Sequence, residues 1–194
     1  MLKRMVSATL KSLHYDFKRI TEIPEITPIN GYCAANERPR LNLLIPTIAA
    51  QQLFGGVATA LHFLGELADA SFDLRIIVTD DDSHDAPPPS MLSGWRFSSA
   101  EHDDSDNKQI IPFACRHGRS LFVRQNDIFI ATAWWTSYLG QRLVSWQASQ
   151  FSCRVRPMIY LIQDFEPGFY PWSARYLLAQ STYSQREVPL MAVF

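Results

Sequence analysis

Residues 40–79 read RLNLLIPTIAAQQLFGGVATALHFLGELADASFDLRIIVT and decide the fold. The apolar run LNLLIP at 41–46 predicts a strand that is buried on both faces, as in parallel sheets. Gly55 and Gly56 then mark a turn, and apolar residues at helical spacing predict a helix after them. A second apolar run, LRIIVT at 74–79, completes a strand, helix and strand unit. Because such a unit joins parallel strands by a right-handed crossover, the sequence predicts an α/β fold.

The same alternation continues on the C-terminal side of this unit. Short runs rich in apolar and β-branched residues predict strands, and longer runs with a helical period predict helices. Pro171 fits the start of the last helix, because proline is favoured in a first helical turn. The predicted elements are strands at 120–124, 127–132, 158–163 and 188–194 and helices at 133–150 and 172–184.

Composition excludes several classes of protein. With 47% hydrophobic and 19% charged residues the chain is globular rather than disordered. Its formal net charge of -1 lacks the broad cationic field of a nucleic-acid binder, so we expect no nucleic-acid partner. Cys33, Cys115 and Cys153 form no CxxC pair, which argues against a disulfide framework or a zinc site and favours a reducing cytoplasm. We also expect no membrane span and no export signal.

Two regions do not follow this alternation of strands and helices. Residues 1–20 have apolar residues at helical spacing with basic residues among them, which predicts an amphipathic helix that packs on the domain or makes a peripheral membrane contact. We therefore divide the chain into 1–37, this helix with a proline-containing connector, and a domain at 38–194. Residues 80–108 are rich in acidic side chains and predict a solvated, mobile excursion. Their spacing matches no calcium loop, and we expect no metal site.

Three segments at predicted strand ends carry candidate binding residues, because ligands of open α/β sheets bind outside the carboxyl ends of the strands. Gly55 and Gly56 would let an anion such as a diphosphate approach backbone N–H groups. The alternative is a tight turn that requires glycine. Thr132 and Trp134 follow another strand, and an indole face stacks on sugar rings. Trp135 shares a helical period with leucines further along, which assigns it to the core.

The loop QDFEPGFYPW at 163–172 is the most informative segment. It combines Asp164 and Glu166 with four aromatic side chains after a buried strand. Carboxylates accept hydrogen bonds from sugar hydroxyls while aromatic faces cover the C–H surfaces, so this mixture favours a carbohydrate ligand. The alternative is that Asp164 or Glu166 caps the following helix and the rings fill the core. No metalloprotease, nucleophile-elbow, dinucleotide or P-loop motif is present.

Three stretches resemble the N-terminal half of family 4-type rhamnosyltransferases, which build cell-surface polysaccharides. They are RLNLLIPTIAAQQLFGGVATAL, IFIATAWWTSYLGQ and IYLIQDFEPGFYPWSARYLLAQSTY. The resemblance implies the GT-B architecture, two Rossmann-like domains that face each other across a cleft. For this chain it implies an open, mostly parallel sheet with helices on both faces. The N-terminal domain of such enzymes takes the saccharide acceptor, and the C-terminal domain holds most of the nucleotide-sugar, here resembling dTDP-L-rhamnose, with no further cofactor.

The resemblance also implies roles for individual residues. Gly55 and Gly56 would face the donor diphosphate, and Asp164 and Glu166 would contact sugar hydroxyls at the cleft floor. The other positions would line the cleft or shape the acceptor pocket: Thr132, Trp134, Phe165, Phe169 and Tyr170. The catalytic glutamate pair of these retaining, metal-independent enzymes belongs to the C-terminal domain.

The chain departs from the family pattern in one respect, because nothing after Phe194 supplies the donor-binding domain. We therefore expect the isolated chain to have little or no transferase activity, since charge stabilisation and water exclusion need both halves of the cleft. Two alternatives stay open, a non-catalytic carbohydrate-binding module and an inactive truncated remnant. The expected location is the cytoplasm or the inner face of the cell membrane.

Overall fold

The computed structural model describes residues 23–53, 55–67, 71–82, 88–103 and 107–194. The helix expected at 1–20 lies outside these residues. The strands are β1 (Asn30–Cys33), β2 (Arg40–Ile45), β3 (Asp73–Val78), β4 (Arg96–Phe97), β5 (Lys108–Pro112), β6 (Ser120–Val123), β7 (Asp127–Ala131), β8 (Met158–Leu161) and β9 (Leu190–Val193). The α-helices are α1 (Gly56–Leu67), α2 (Trp134–Gln150) and α3 (Ala174–Ser184).

The main sheet has seven parallel strands in the order β4-β5-β3-β2-β7-β8-β9. Every residue of β2 and β3 is buried, which explains why apolar residues predominate in both strands. β1 and β6 form a separate parallel pair. The α/β class and the Rossmann-like, mostly parallel open sheet are thus confirmed.

The sheet packs helices on both of its faces, as predicted. Leu43 and Ile45 of β2 point to a core that includes Leu64 of α1. Leu44, which points to the opposite face, packs in a core that includes Leu139 of α2. Tyr183 of α3 lies against this second core. The alternation of side chains along β2 therefore divides the interior into two layers.

The prediction of a solvated, mobile excursion at 80–108 is wrong for much of the segment. Leu92 and Ala100 are buried, and β5 begins at Lys108 and pairs with β3. The reason is that short apolar stretches between the acidic residues form β4 and β5, the outermost strands on one side of the sheet. β1, β4 and β5 were not predicted as strands. Within the described residues, every strand and helix that was predicted is present, with ends shifted by at most a few residues.

A buried charge cluster lies at the amino ends of β2, β3 and β7. It consists of Arg40, Asp73, Arg75, Asp103, Arg124 and Asp127. The Arg40 guanidinium donates two hydrogen bonds of 2.8 Å to the Asp127 carboxylate. Arg124 donates to Asp73 at 2.6 Å and to Asp103 at 2.9 Å. Asp103 therefore ties the acidic segment to the sheet instead of facing water.

Candidate functional site

A cleft lies at the carboxyl edge of the sheet, beyond the ends of β2, β7 and β8. Because all strands of the main sheet are parallel, the segments that follow them meet at this edge. The cleft has a volume of about 210 Å³. It is lined by Pro46, Gly56, Val57, Thr132, Ala133, Trp135, Gln163, Asp164, Glu166 and Phe169. The structure thus brings together Gly56, Thr132, Asp164, Glu166 and Phe169 from the set predicted by sequence.

The two glycines before α1 have different structural roles. Gly55 has a φ of 54°, in the left-handed region that favours glycine, and it does not line the cleft. Gly56 lines the cleft, and a Cβ there would overlap the Gln163 side chain. Gly56 therefore lets the residue after β8 lie against the first turn of α1. Thr132 beside them donates its hydroxyl to the Leu44 carbonyl at 3.1 Å.

The two adjacent tryptophans exchange the roles that the sequence predicts for them. Trp134 is fully buried and does not line the cleft, whereas Trp135 is partly exposed and lines it. The period of Trp135 with Leu139 did not decide its burial, because the first turn of α2 stands at the edge of the sheet. There the Trp135 ring reaches beyond the strand ends, and its Nε1–H donates to Asp80 at 3.0 Å.

Glu166 caps a helix, but the helix is α2 rather than the one that follows it in sequence. Ala133, before α2, has no side chain that could cap it, and the Trp134 N–H donates to Glu166 Oε2 at 3.0 Å. A carboxylate at this position is favourable because helix N-termini attract negative charge. The following helix α3 is capped instead by Ser173, whose Oγ accepts from the Tyr176 N–H.

The surroundings of Glu166 favour its protonated form. Burial raises the pKa of Glu166, the nearby Asp164 raises it further, and the hydrogen bonds from Trp134 and Tyr160 only partly offset these effects. The Tyr160 hydroxyl lies 3.4 Å from Glu166 Oε1 and 3.4 Å from the Tyr183 hydroxyl. Burial likewise raises the pKa of both tyrosines. Glu166 is thus held by protein groups on one side while it lines the cleft on the other.

Two other predicted residues support the loop rather than line the cleft. The Tyr170 hydroxyl accepts a hydrogen bond of 2.9 Å from Trp134 Nε1–H. Together with Glu166, it fixes the 163–172 loop to the start of α2 at two points. Phe165 is 57% exposed, and its ring packs against Tyr183 with centroids 5.3 Å apart. Trp134, Phe165 and Tyr170 therefore act around the cleft and not in its wall.

Asp164 and Phe169 are the loop residues that face solvent at the cleft. Asp164 is exposed, and Phe169 is 67% exposed. Gln163 lies beside them and adds a side-chain amide. An exposed carboxylate, an amide and an aromatic ring on one wall offer hydrogen-bond acceptors, donors and an apolar face to the same ligand.

Asp80 and Trp135 form a hydrogen-bonded pair beside the cleft that sequence reasoning missed. Asp80 is the second residue after the end of β3, and it accepts hydrogen bonds from Trp135 and from the Thr79 hydroxyl at 2.9 Å. Burial raises the pKa of Asp80, and Arg116, whose guanidinium lies 4.0 Å away, opposes that rise. The signal was present in the strand-end rule, because Asp80 lies within two residues of the carboxyl end of β3, and such positions face the ligand side of an open sheet.

A second, more apolar cavity of about 320 Å³ adjoins the cleft. It shares Gly56, Thr132 and Gln163 with the cleft and extends to Phe63 and Phe194. In the part of the chain that the structure describes, no group of three His, Cys, Asp or Glu side chains is placed to hold a metal ion. Nor is any helix in those ranges long and apolar enough to cross a membrane.

Comparison with known proteins gives one family match. The model of the family described as WsaF, N-terminal domain, matches residues 40–194. The matched range starts at the first residue of β2 and contains every residue that lines the cleft. A search of curated proteins finds no match.

Proposed function

The chain belongs to the WsaF N-terminal domain family, a glycosyltransferase-associated domain, and from this premise we propose that it is the acceptor-binding part of a retaining glycosyltransferase. In this proposal the enzyme has the GT-B architecture and is related to family 4 rhamnosyltransferases. It transfers L-rhamnose or a similar sugar from a nucleotide-sugar such as dTDP-L-rhamnose to a growing polysaccharide. A separate donor-binding domain holds the nucleotide-sugar and supplies the catalytic glutamates.

The composition of the cleft wall is the observation that carries this proposal. Asp164 offers a carboxylate to sugar hydroxyls, Gln163 offers an amide, and Trp135 and Phe169 offer ring surfaces for the C–H face of a pyranose. The cleft volume of about 210 Å³ is below that of clefts for drug-sized ligands, which suits a single sugar ring. Glu166 supports this wall through its bond to α2.

The donor side of the proposal involves Gly55 and Gly56. In a two-domain enzyme these residues would face the diphosphate of the nucleotide-sugar, which would approach the first turn of α1. Gly55 supports this assignment, because nothing lies within 4 Å of the position that a Cβ would take there. At Gly56 the Gln163 side chain occupies that space, so a bound diphosphate would displace it. Trp134 and Tyr170 contribute indirectly by holding the 163–172 loop.

The proposal also includes a cytoplasmic location or one at the inner face of the cell membrane. Cys33, Cys115 and Cys153 support it, because all three are free thiols in the structure. Free, partly exposed thiols are typical of a reducing compartment.

The test is isothermal titration of the 194-residue chain with a rhamnose disaccharide, in the wild type and in two variants. Asp164→Ala removes the exposed carboxylate of the cleft. Glu37→Ala removes an exposed carboxylate beside the amino end of β2 and serves as the matched control. We expect the wild type and Glu37→Ala to bind alike and Asp164→Ala to bind about tenfold more weakly, as for loss of one charge-assisted hydrogen bond.

Two results would overturn the proposal. The first is the absence of saccharide binding by the wild-type chain at millimolar disaccharide. The second is equal affinity of the wild type and Asp164→Ala, which would show that the cleft is not where the saccharide binds.

A further inference from the structure

Trp172 places a large aromatic ring on the surface next to the cleft. Its side chain is 78% exposed, although an indole gains free energy from burial. Phe169 lines the cleft, and Trp172 follows three residues later in the same loop. Since consecutive Cα atoms lie about 3.8 Å apart, these two Cα atoms are separated by at most about 11 Å. The Trp172 backbone therefore lies close to the cleft wall, and its exposed ring belongs to the same loop.

The ring is held in place by its neighbours. The ring centroids of Trp172 and Tyr176 are 5.2 Å apart, with an interplanar angle of 42°. Pro171 restricts the backbone before Trp172, and Ser173 caps α3 directly after it. Tyr176 thus supports the indole while most of the indole surface stays open to solvent. A binding ring fixed in this way loses little conformational entropy when a ligand stacks on it.

A polar side chain follows the exposed ring in the chain. Arg175, whose side chain is 44% exposed, forms an ion pair of 2.8 Å with Glu25. It lies in the first turn of α3, three residues after Trp172, and its guanidinium has more N–H donors than the pair with Glu25 uses. A ring face beside hydrogen-bond donors suits a saccharide, which presents C–H groups and hydroxyls together, better than it suits a wholly apolar partner.

We propose that Trp172 and Tyr176 form a second sugar-binding position outside the cleft. The acceptor is then an oligosaccharide whose end ring occupies the cleft and whose chain continues over the start of α3. This inference rests on the proposed function, because it assumes that the cleft itself binds a saccharide. It adds a second contact for the acceptor chain, at the start of α3.

Affinity measured against chain length tests this inference. The 194-residue protein is titrated with rhamnose oligosaccharides from the disaccharide to the hexasaccharide. We expect affinity to rise with length in the wild type, and Trp172→Ala to lose about threefold to tenfold for the hexasaccharide only. Trp172→Phe should retain part of the gain because it keeps a ring.

Tyr32→Ala is the matched control. Tyr32 is 58% exposed and packs against Phe122 with centroids 4.8 Å apart and an angle of 37°, so it forms a similar exposed ring pair, but on β1. We expect this variant to show the wild-type length dependence. Circular dichroism confirms that each variant is folded before titration.

The outcomes separate the two proposals. If the disaccharide binds but Trp172→Ala keeps the full gain for the hexasaccharide, the second position is wrong and the cleft proposal stands. The same conclusion follows if Tyr32→Ala loses the gain as Trp172→Ala does. If no saccharide of any length binds the wild type, the cleft proposal fails and the second position fails with it.

Discussion

At the residue scale, Glu166 joins the stability of the fold to the cleft. It accepts a hydrogen bond from the first N–H of α2 while lining the cleft, so the same carboxylate positions the loop and borders the ligand. The sequence predicts a polar residue at this strand end. It does not predict which helix the carboxylate caps, because that depends on the packing of β8 beside β7.

Glu166→Gln should change the pH dependence of stability. Burial raises the pKa of Glu166 above its ordinary value of 4.5, so the folded state disfavours the ionised form. The wild type therefore loses part of its free energy of unfolding as pH rises from about 4.5 through the raised pKa. Glutamine keeps an oxygen acceptor without this titration. We expect urea unfolding to show the variant gaining stability relative to the wild type over that pH range.

Glu37→Gln is the control for the loss of one negative charge, because Glu37 is exposed and is not among the groups that shift the pKa of Glu166. A difference between Glu166→Gln and the wild type that stays constant with pH would contradict the account.

The tryptophan pair gives a second test at this scale. Trp134 is fully buried and bonded to Tyr170, so Trp134→Ala should lower the free energy of unfolding by about 3–5 kcal/mol. Trp135 is only partly buried, and Trp135→Ala should cost about 1–2 kcal/mol and weaken disaccharide binding. Chemical denaturation of both variants measures the difference. Equal losses of stability would mean that the two rings share the core.

At the scale of elements, strands with several apolar residues in succession can be predicted from the sequence, and the others cannot. β2 and β3 are buried along their whole length and are mostly apolar. β1 carries the sequence NGYC and is mostly exposed, so it is defined by its hydrogen bonds to the distant β6 rather than by hydrophobicity. β5 contributes only Ile110 and Ile111 as apolar core residues within an acidic region. Its strand character comes from pairing with β3.

Cleft residues also differ in whether they can be predicted from the sequence. The strand-end rule points to Thr132, Asp164 and Glu166, because it depends only on the order of strands and loops. It does not decide between Trp134 and Trp135, whose burial depends on how far α2 projects beyond the sheet. The charge cluster escaped prediction because arginine and aspartate are ordinarily exposed, and only pairing across three strands allows their burial.

The turn before α1 supplies a prediction with an internal control. Gly55 has a left-handed backbone, so Gly55→Ala should lower the free energy of unfolding by about 1–2 kcal/mol. Gly65 lies within α1, and a Cβ there would meet no atom within 4 Å. Gly65→Ala should therefore raise stability by about 0.5–1 kcal/mol through helix propensity. Thermal unfolding should show opposite signs, and a loss of stability in both variants would contradict this assignment.

At the scale of the whole molecule, the two edges of the sheet have different tasks. The amino edge holds the charge cluster, and the carboxyl edge holds the cleft. Strands such as β2 and β7 contribute residues to both ends. The charge cluster and the cleft share no residue, so a substitution in the cluster should leave saccharide affinity largely unchanged, and a substitution in the cleft should leave stability largely unchanged.

Asp127→Asn tests this division. Burial alone would raise the pKa of Asp127, but Arg40 and Arg75 outweigh it and hold the pKa below the ordinary value of 3.8. The ionised carboxylate thus stabilises the fold above that value, and this contribution is lost as pH falls through the lowered pKa. We expect the variant to lose about 3–5 kcal/mol near neutral pH, because the buried Arg75 guanidinium loses its ion pair and Arg40 keeps only its pair with Asp103.

The same variant should keep its affinity for the disaccharide at a temperature where it is folded. Asp164→Ala should do the reverse, with wild-type stability and weakened binding. A variant at the amino edge that abolishes binding without unfolding would show that the two edges are coupled.

Titration of the ¹⁵N-labelled chain with a rhamnose disaccharide, followed by amide chemical shifts, locates the saccharide on the domain. We expect shifts concentrated at Gly56, at Thr132 to Trp135 and at Gln163 to Phe169, with the amides of Arg40, Arg75 and Asp127 unchanged. Shifts confined to another surface, such as the cavity that Phe97 and Arg119 line, would contradict this expectation. So would the absence of any shift at a saturating disaccharide concentration.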